Sequence, residues 1–352
     1  MVCGSSPQAA SNLNVIKMEI QQYAPVVIPT LNRYEHFKAC LESLEKCKYA
    51  DKTNVYVSLD FPPSDKYKEG WQRLLEYLSE KEKSNGFNRL IVIRQTKNLG
   101  VSYPSNYTFL KELVLKDYDC YISTEDDNVF SYRFLEYMNM SLDKYKDDDS
   151  VYVVTGYIHP IDMPKVNASV VKLQEMSAWG CGFWKKKLLL RSETLDLLDK
   201  MLMDKKLRKY LSQRRPSIYA GLMHMKSNNV IWGDCFNTAY EYYAGKYCVY
   251  PTTSLVQNHG WDGSGTHGGV VQGFNSQEIE RYIEQPFEIY EATELETRLI
   301  DKAVVKYWKG YEGGIHNIVD HIEITIFSLT GRIIMFDNLR RIYKRIRRKI
   351  QK

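Results

Sequence analysis

The sequence lacks the short motifs that mark several common nucleotide and metal sites. Its 352 residues contain no GxxxxGK[ST] phosphate loop and no HExxH zinc motif. There is no long apolar run, and the N-terminal stretch does not join a basic start to an apolar core. These absences exclude two familiar kinds of site and argue against a secretory signal or a membrane-spanning segment.

Cysteine is scarce and scattered along the chain. There are seven cysteines, an odd number, and no two of them form a CxxC pair. A disulfide framework needs paired cysteines in an oxidising compartment, and a structural zinc site needs closely spaced ones. We therefore expect a reducing, cytoplasmic environment.

Positive charge is concentrated at the C-terminus. The formal net charge is +5, but residues 340–352 contain eight Lys or Arg and no acid, which leaves −3 for the remainder. Apolar side chains recur there at helical spacing: Leu339, Ile342, Tyr343, Ile346 and Ile350. A basic amphipathic helix is typical of contact with an anionic membrane surface, and a plain solvated helix is the alternative. We expect a peripheral protein on the inner face of the membrane and no nucleic-acid partner.

The first 160 residues alternate between two periodicities. Short β-branched and aromatic runs predict five strands, at 24–30, 53–60, 89–95, 118–126 and 150–156. Helical spacing lies between them, as where Phe37, Leu41 and Leu44 share one face. This alternation predicts a Rossmann-like α/β fold, with a mostly parallel sheet flanked by helices. Ligands of such sheets bind at the carboxyl ends of the strands.

Composition divides the chain into three parts. Residues 1–22 read as a mobile leader of polar and small residues. Residues 23–295 read as one domain, with a regular half at 23–156 and a half rich in Trp, Gly, His and Tyr at 157–295. Loops of that composition on a regular scaffold usually shape a binding site. Residues 296–352 predict a C-terminal helical extension that ends in the basic tail.

Three adjacent acids, Glu125, Asp126 and Asp127, end the fourth predicted strand in the stretch YISTEDDNVFS. One interpretation is a solvated turn or helix N-cap. A second is a site for Mg²⁺ or Mn²⁺, whose charge removes the repulsion between the carboxylates. A third is an acid/base pair. The position favours the metal site, because a nucleotide crevice opens at this edge of a parallel sheet and a cation there neutralises a diphosphate.

Several stretches carry a resemblance to a known family. VVIPTLNRYEHFKACLESL, VSLD, KNLGVSYPSN and YISTEDDNVFSYRFLEYM resemble, in that order, the donor-binding half of GT-A fold glycosyltransferases. They are close to family 2 enzymes and similar to N-acetylglucosaminyltransferase I. Further on, SAWGCGFWKKKLLL and VIWGDCFNTAYEYYAGKYCVYPTTSLVQNHGWDGSGTH resemble bacterial sugar transferases. The stretches cover most of residues 24–270, and their order is more specific than any one of them.

The resemblance implies a set of residues around a nucleotide-sugar donor. Asp126 would contact the ribose and Asp127 the metal, with Glu125 in support. The remaining implied donor-binding residues follow strand ends or lie in the KNLGVS loop: Pro29, Thr30, Asn32, Arg33, Asp60, Asn98 and Gly100, with Asn106 as a further polar position. Each also has an ordinary local explanation, as part of a turn or a helix start.

The stretch NHGWDGSGTHGG has five glycines in twelve residues and implies a loop over the donor diphosphate. Each of its histidines carries an imidazole that could be a ligand of Mn²⁺. The family pattern favours His267 over His259 as the metal ligand, and a loop histidine without a ligand is the alternative.

Asp234, in IWGDCF, is the implied catalytic base. Inverting transfer needs a carboxylate to take the proton of the acceptor hydroxyl, and a lone acid among aromatic residues would be partly desolvated and so a stronger base. An N-cap of the following helix is the alternative. Trp179 and Gly180 suit an acceptor platform, because an indole packs well on the apolar face of a sugar. Related sequences commonly carry Trp where Cys181 stands.

The resemblance therefore implies a glycosyltransferase that depends on Mn²⁺ or Mg²⁺. It would move a hexosyl or N-acetylhexosaminyl group from a nucleotide diphosphate, with UDP favoured, to a glycan or lipid-linked hydroxyl, with inversion, as in polysaccharide biosynthesis. One alternative is a sugar-1-phosphate nucleotidyltransferase, although IPTLNRYEHF lacks the glycine-rich loop expected after its first strand. The other is a non-catalytic carbohydrate-binding protein on the same fold.

Overall fold

The structure is a computed structural model that describes residues 22–101, 104–190, 194–263, 274, 276–279, 285–311 and 315–339. Its strands are β1 Val26–Thr30, β2 Asn54–Leu59, β3 Arg89–Arg94, β4 Cys120–Ser123, β5 Asn128–Phe130, β6 Val151–Thr155, β7 Val170–Leu173, β8 Cys181–Trp184, β9 Tyr247–Pro251 and β10 Val256–Asn258. Its α-helices are α1 Tyr34–Glu45, α2 Lys68–Lys81, α3 Asn106–Val114, α4 Phe134–Lys144, α5 Lys185–Leu189, α6 Leu195–Met203, α7 Lys205–Arg214, α8 Pro216–Asn228, α9 Gly233–Tyr243, α10 Glu294–Tyr311 and α11 Ile315–Thr330.

Eight of these strands form one sheet in the order β3-β2-β1-β4-β8-β6-β9-β7, and β10 pairs with β5 beside it. Neighbours run parallel from β3 to β4 and again between β6 and β9. β8 is antiparallel to both its neighbours, and β7 is antiparallel to β9. Six strands therefore point one way and two the other, which confirms a mostly parallel sheet flanked by helices.

The five predicted strands are present as β1, β2, β3, β4 and β6. β4 is shorter than predicted, because it ends at Ser123 and the acidic triplet lies in the turn between β4 and β5. The predicted face of α1 is also present, since Phe37, Leu41 and Leu44 are fully buried.

Side chains alternate between the two faces of the sheet, as the pleat of a strand requires. In β1, Val26 and Ile28 pack into a core with α1, α2 and α4, whereas Val27 packs into a second core with α3 and α10. Because helices cover both faces, the central strands are mostly apolar.

A third core is formed by helices alone. α6, α7, α8 and α9 lie between β8 and β9 in the chain, and they pack with α11 around Tyr219, Phe236 and Phe327. Of this layer the sequence analysis predicted the helix that follows Asp234 and, within the C-terminal helical extension, α11. No helix in the described part of the chain combines the length and the apolar character that a membrane span requires.

Candidate active site

The candidate site lies at the carboxyl edge of the central strands. β1 runs parallel to both β2 and β4, so the residues that follow these three strands meet at one edge of the sheet. Thr30, the last residue of β1, donates from Oγ1 to Oδ2 of Asp126 over 2.8 Å. The acidic triplet after β4 is thereby joined to the end of β1.

Arg33 bridges the two aspartates. Its guanidinium donates to Oδ1 of Asp126, and its Nη1 lies 2.7 Å from Oδ2 of Asp127. Both aspartates are only 6% exposed. Since buried carboxylates are costly unless they are paired, the arginine that precedes α1 supplies a counter-charge from within the chain.

Asp127 is also held from the side of β10. Asn258 lies opposite Asn128 in the β5–β10 ladder, and its amide donates to Oδ1 of Asp127 over 2.7 Å and to Oδ1 of Asn128 over 2.9 Å. The backbone N–H of His259 donates to the carbonyl of Asp127 over 2.8 Å. The orientation of this carboxylate is therefore set by residues from two distant parts of the chain.

Gly260 allows β10 to approach this closely. A Cβ atom at position 260 would lie 1.9 Å from Oδ2 of Asp127, far inside van der Waals contact. Only a residue without a side chain fits beside the carboxylate without a shift.

The acids carry more negative charge than Arg33 balances. Burial raises the pKa of Asp126, Arg33 opposes that shift, and Asp127 adds to it. The pKa of Glu125 is raised to about 8, first by loss of surrounding water and then by the charges of Asp127 and Asp234. The Glu125 side chain still reaches solvent, so water screens part of the repulsion that raises its pKa. The site therefore favours an additional cation.

The described residues would supply only part of a metal coordination shell. Within the described ranges, no three His, Cys, Asp or Glu side chains converge on a metal position, and His267 lies outside them. Magnesium bound with a diphosphate commonly takes one or two carboxylates from the protein and its other ligands from phosphate and water. Asp127 and the excess negative charge around it would fit that mode.

His259, the less favoured of the two histidines, is engaged within the protein. Its Nε2 lies 2.7 Å from Oε1 of Gln257, and burial together with the neighbouring His36 lowers its pKa, against the opposing effect of Asp127. The ring is therefore held neutral and tied to β10.

Asp60 organises the KNLG loop. Its Oδ1 accepts from the N–H groups of Phe61 and Leu99, at 2.9 and 2.8 Å. Its Oδ2 accepts from the N–H of Gly100 at 2.8 Å and from the amide of Asn98 at 3.2 Å. A carboxylate has about four lone-pair positions, so protein donors fill the acceptor capacity of this side chain.

The remaining predicted donor-side residues border the same crevice. Asn106 is buried, with its amide bound to the side chain and the carbonyl of Ser58. Pro29 is half-buried in β1, opposite Ser58. Asn32 is half-buried, and its carbonyl packs so closely on Gly70 that a Cβ there would lie 2.1 Å away. Gly100 has a φ of +66°, which favours glycine.

Asp234 lies in the first turn of α9, and its charge contributes to the raised pKa of Glu125. Its side chain is exposed, and Oδ1 accepts from the N–H of Cys235 over 2.8 Å. The expected desolvation is therefore wrong, because α9 begins at the surface. The alternative N-cap role is also wrong, because Trp232 occupies that position.

Trp179 belongs to an aromatic cluster beside the site. Its ring centroid lies 4.5 Å from that of Tyr157 and 5.2 Å from that of Phe274, and Phe274 lies 5.5 Å from Trp261. Gly180, next in the chain, has a φ of +74°. Since Trp261 follows Gly260 directly, the aromatic cluster borders the carboxylate of Asp127.

The sequence analysis missed Asn258 and Trp261 as site residues. Both lie in the stretch QNHGW, next to His259. The sequence analysis considered only the histidine of this stretch, as a metal ligand. Strand β10, which carries Asn258, has three residues, VQN. Three residues are too few to show the alternation that predicts a strand.

Comparisons with known proteins give fold-level neighbours only. The chain matches no protein-family model, and no curated protein matches it in sequence. Among solved structures it is similar to the mannosyltransferase PcManGT from Pyrobaculum calidifontis in complex with GDP-Man and Mn²⁺, at 13% identity and a TM-score of 0.36, over 63% of this chain and 70% of that one.

It is also similar to S. aureus TarS. The match to TarS 1-349 in complex with UDP-GlcNAc has 14% identity and a TM-score of 0.36, over 64% of this chain and 74% of that one. A second TarS structure is matched over only 29% of its length, at 16% identity. At these values the likeness assigns no activity to this chain.

Proposed function

We propose that this chain is a GT-A glycosyltransferase of family 2 type that transfers a sugar from a nucleotide diphosphate, with UDP favoured, to a glycan or lipid-linked hydroxyl. One observation carries the proposal: two buried aspartates, Asp126 and Asp127, lie at the carboxyl edge of a parallel sheet and are bound by Thr30 and Arg33. Nucleotides bind at this edge in open α/β sheets. The order of the sequence motifs gives the proposal its reaction class.

The donor nucleoside would lie over the ends of β1 and β2. Asp126 would accept from the ribose, using lone pairs that Thr30 and Arg33 leave free. Pro29, Asn32 and the Asn98–Gly100 loop would line the pocket. Asp60 would act by holding that loop, since its own acceptors are engaged.

The donor diphosphate would lie against Asp127 and Arg33. Asp127, with His267 in the segment outside the described residues, would hold Mn²⁺ or Mg²⁺, and that cation would supply charge stabilisation of the departing diphosphate. Arg33 is a second positive group within reach of the same anion. The raised pKa values of Glu125 and Asp126 support a cation here, because burial disfavours the charged form of each acid and the charge of Asp127 adds to that effect.

The acceptor would approach from the aromatic side. Trp179 and Gly180, with Trp261 nearby, would position the sugar face. Asp234 would take the proton of the acceptor hydroxyl as its oxygen attacks the anomeric carbon, and the bond to the diphosphate oxygen would break with its electron pair on the diphosphate. Attack from the opposite face gives inversion.

The test is release of the nucleotide. Purified protein is incubated with Mn²⁺ and either a panel of nucleotide sugars or a panel of nucleoside triphosphates with sugar 1-phosphates. Release of nucleoside diphosphate is measured in the first mixture and release of pyrophosphate in the second. Nucleoside diphosphate release supports the transferase, pyrophosphate release supports the nucleotidyltransferase, and binding without turnover supports the carbohydrate-binding alternative.

Asp127→Ala sharpens the test. This substitution should abolish release and also abolish the Mn²⁺-dependent thermal shift by UDP. Asp65→Ala is the matched control, because Asp65 is an exposed acid beside Lys68. Equal release from the Asp127→Ala protein and the parent would overturn the role of this carboxylate.

A further inference from the structure

Helix α11 buries two acids and exposes three large aliphatic side chains, although its Val319, Ile324 and Phe327 are buried. Its acids Asp320 and Glu323 are 6% and 0% exposed, whereas Ile318, Ile322 and Leu329 are 57%, 46% and 80% exposed. A surface helix normally turns its apolar stripe to the core and its charges to water. The outward aliphatic side chains therefore need an explanation other than packing within the chain.

These outward side chains form a single stripe. Ile318, Ile322, Thr325 and Leu329 follow one another at intervals of four, three and four residues, which places them on one face of the helix. Leu329 and Thr325 also line a cavity of about 330 Å³ between α11 and α7.

Cations border the stripe along this cavity. The lining residues are Lys205, Arg208, Lys209, Ser212, Ile324, Thr325, Ser328 and Leu329, three of them basic and none acidic. Lys205 and Lys209 are exposed and one turn apart on α7. An aliphatic stripe flanked by positive charge is the pattern of a helix that lies in the interface of an anionic bilayer.

We propose that α7 and α11 form a membrane-binding face for anionic phospholipid. The Ile318–Ile322–Leu329 stripe enters the boundary between headgroups and acyl chains, and Lys205, Arg208 and Lys209 contact the lipid phosphates. This face is distinct from the basic tail, and it holds whether or not the glycosyltransferase proposal is correct.

The chain beyond α11 continues the same chemistry. Ile334 and Leu339 are 44% and 50% exposed, and residues 340–352, which follow directly, carry eight basic residues and no acid. A second copy of the chain suits this face less well, because a two-fold contact would bring like charges together.

The experiment uses the full-length chain and vesicles of phosphatidylcholine with or without phosphatidylglycerol. The eight Lys and Arg of residues 340–352 are first changed to Gln, so that binding reports the structured face. In that background, Lys205→Glu/Lys209→Glu and Ile318→Ser/Ile322→Ser/Leu329→Ser should each lower partitioning onto anionic vesicles about tenfold or more. The altered side chains are exposed, and thermal unfolding checks that each variant folds.

Matched controls lie on α10. Lys302 and Lys306 are exposed and have the same spacing as the α7 lysines, and Leu295 and Leu299 are exposed aliphatic residues. Lys302→Glu/Lys306→Glu and Leu295→Ser/Leu299→Ser should leave partitioning unchanged.

Three results would overturn the proposal. The first is a tail-neutralised parent that does not bind anionic vesicles. The second is an equal effect of the α10 controls. The third is a dimer in sedimentation velocity that the stripe variant converts to monomer without any change in vesicle binding, which would make the face a contact between copies.

Discussion

The Nη1 atom of Arg33 lies 2.7 Å from Oδ2 of Asp127, and the same guanidinium also binds Asp126. The two carboxylates raise the pKa of Arg33 even though burial alone would lower it. Because a guanidinium does not lose its proton in proteins, the site contains a permanent positive charge before any ligand arrives.

Arg33→Ala should be strongly destabilising. It leaves two buried carboxylates without a charged partner, a loss of about 3 kcal/mol in the free energy of unfolding at neutral pH. Urea unfolding measures this. Arg73→Ala is the control, because Arg73 forms an exposed ion pair with Glu35 that contributes about 1 kcal/mol at most. Similar losses in the two variants would contradict a structural role of the bridge.

Asp60→Asn should loosen the KNLG loop while the sheet stays folded. The side-chain amide of the new asparagine would place an N–H donor where a carboxylate oxygen now accepts from backbone N–H groups. The lost hydrogen bonds would cost about 2 kcal/mol of stability. Hydrogen exchange of the Leu99 and Gly100 amides should become faster, whereas Asp65→Asn, on the exposed surface, should leave it unchanged. Unchanged exchange in Asp60→Asn would show that the loop does not depend on this carboxylate.

Gly260→Ala should displace Asp127. The added methyl group would lie 1.9 Å from Oδ2, so the carboxylate or β10 must move. Calorimetric UDP binding in the presence of Mn²⁺ should weaken at least tenfold. Gly310→Ala, in α10 with no atom within 4 Å of the new methyl, should bind UDP like the parent and gain up to about 1 kcal/mol of stability.

Glu125 should make stability depend on pH in a defined direction. Its pKa is raised in the folded state from 4.5 to about 8, so the folded state binds the proton more tightly than the unfolded state. Stability from this group is therefore complete below pH 4.5 and is lost as the pH rises towards 8. Glu125→Gln should flatten the profile of melting temperature between these values, and an equally steep profile in this variant would place the titration elsewhere.

Asp234→Asn should separate donor binding from transfer. Because Asp234 lies on the surface of α9 and supports no buried contact in the described chain beyond its own turn, UDP binding and melting temperature should match the parent. Sugar transfer should fall by two to four orders of magnitude, as expected when a general base is lost. Full transfer would remove Asp234 as the base.

Sequence patterns predicted five of the eight strands of the sheet, most clearly where the strand is buried on both faces, as in β1 and β6. The consecutive apolar residues Val26, Val27 and Ile28 predict a strand that is covered on both faces, and all three are fully buried. The helices between the strands have apolar residues at clear helical spacing. The end of β4 was misplaced because Thr124 continues the β-branched run, whereas the turn that holds Asp126 depends on partners from β1.

The rest of the site depends on contacts that local patterns do not encode. Asn258 and Gly260 matter through their closeness to Asp127, and nothing in their own neighbourhood indicates which acid they meet. Asp234 was expected to be desolvated because aromatic residues surround it in sequence, yet Phe236 is buried in the third core whereas Trp232 and Asp234 are exposed. Helices α6–α8 were not predicted because residues 157–295 were interpreted from their composition and not from the spacing of their apolar residues.

The bond between Asp127 and Asn258 joins residues 131 positions apart in the chain. Contacts of such sequence separation close late, because the loop entropy is lost before the contact is gained. On the ribosome, Asp127 emerges long before its amide partner exists, so Arg33 is the first group that can shield the nascent acidic turn. Recovery of nucleotide binding during refolding should accordingly lag behind recovery of secondary structure, which makes binding a reporter of the last stage of folding.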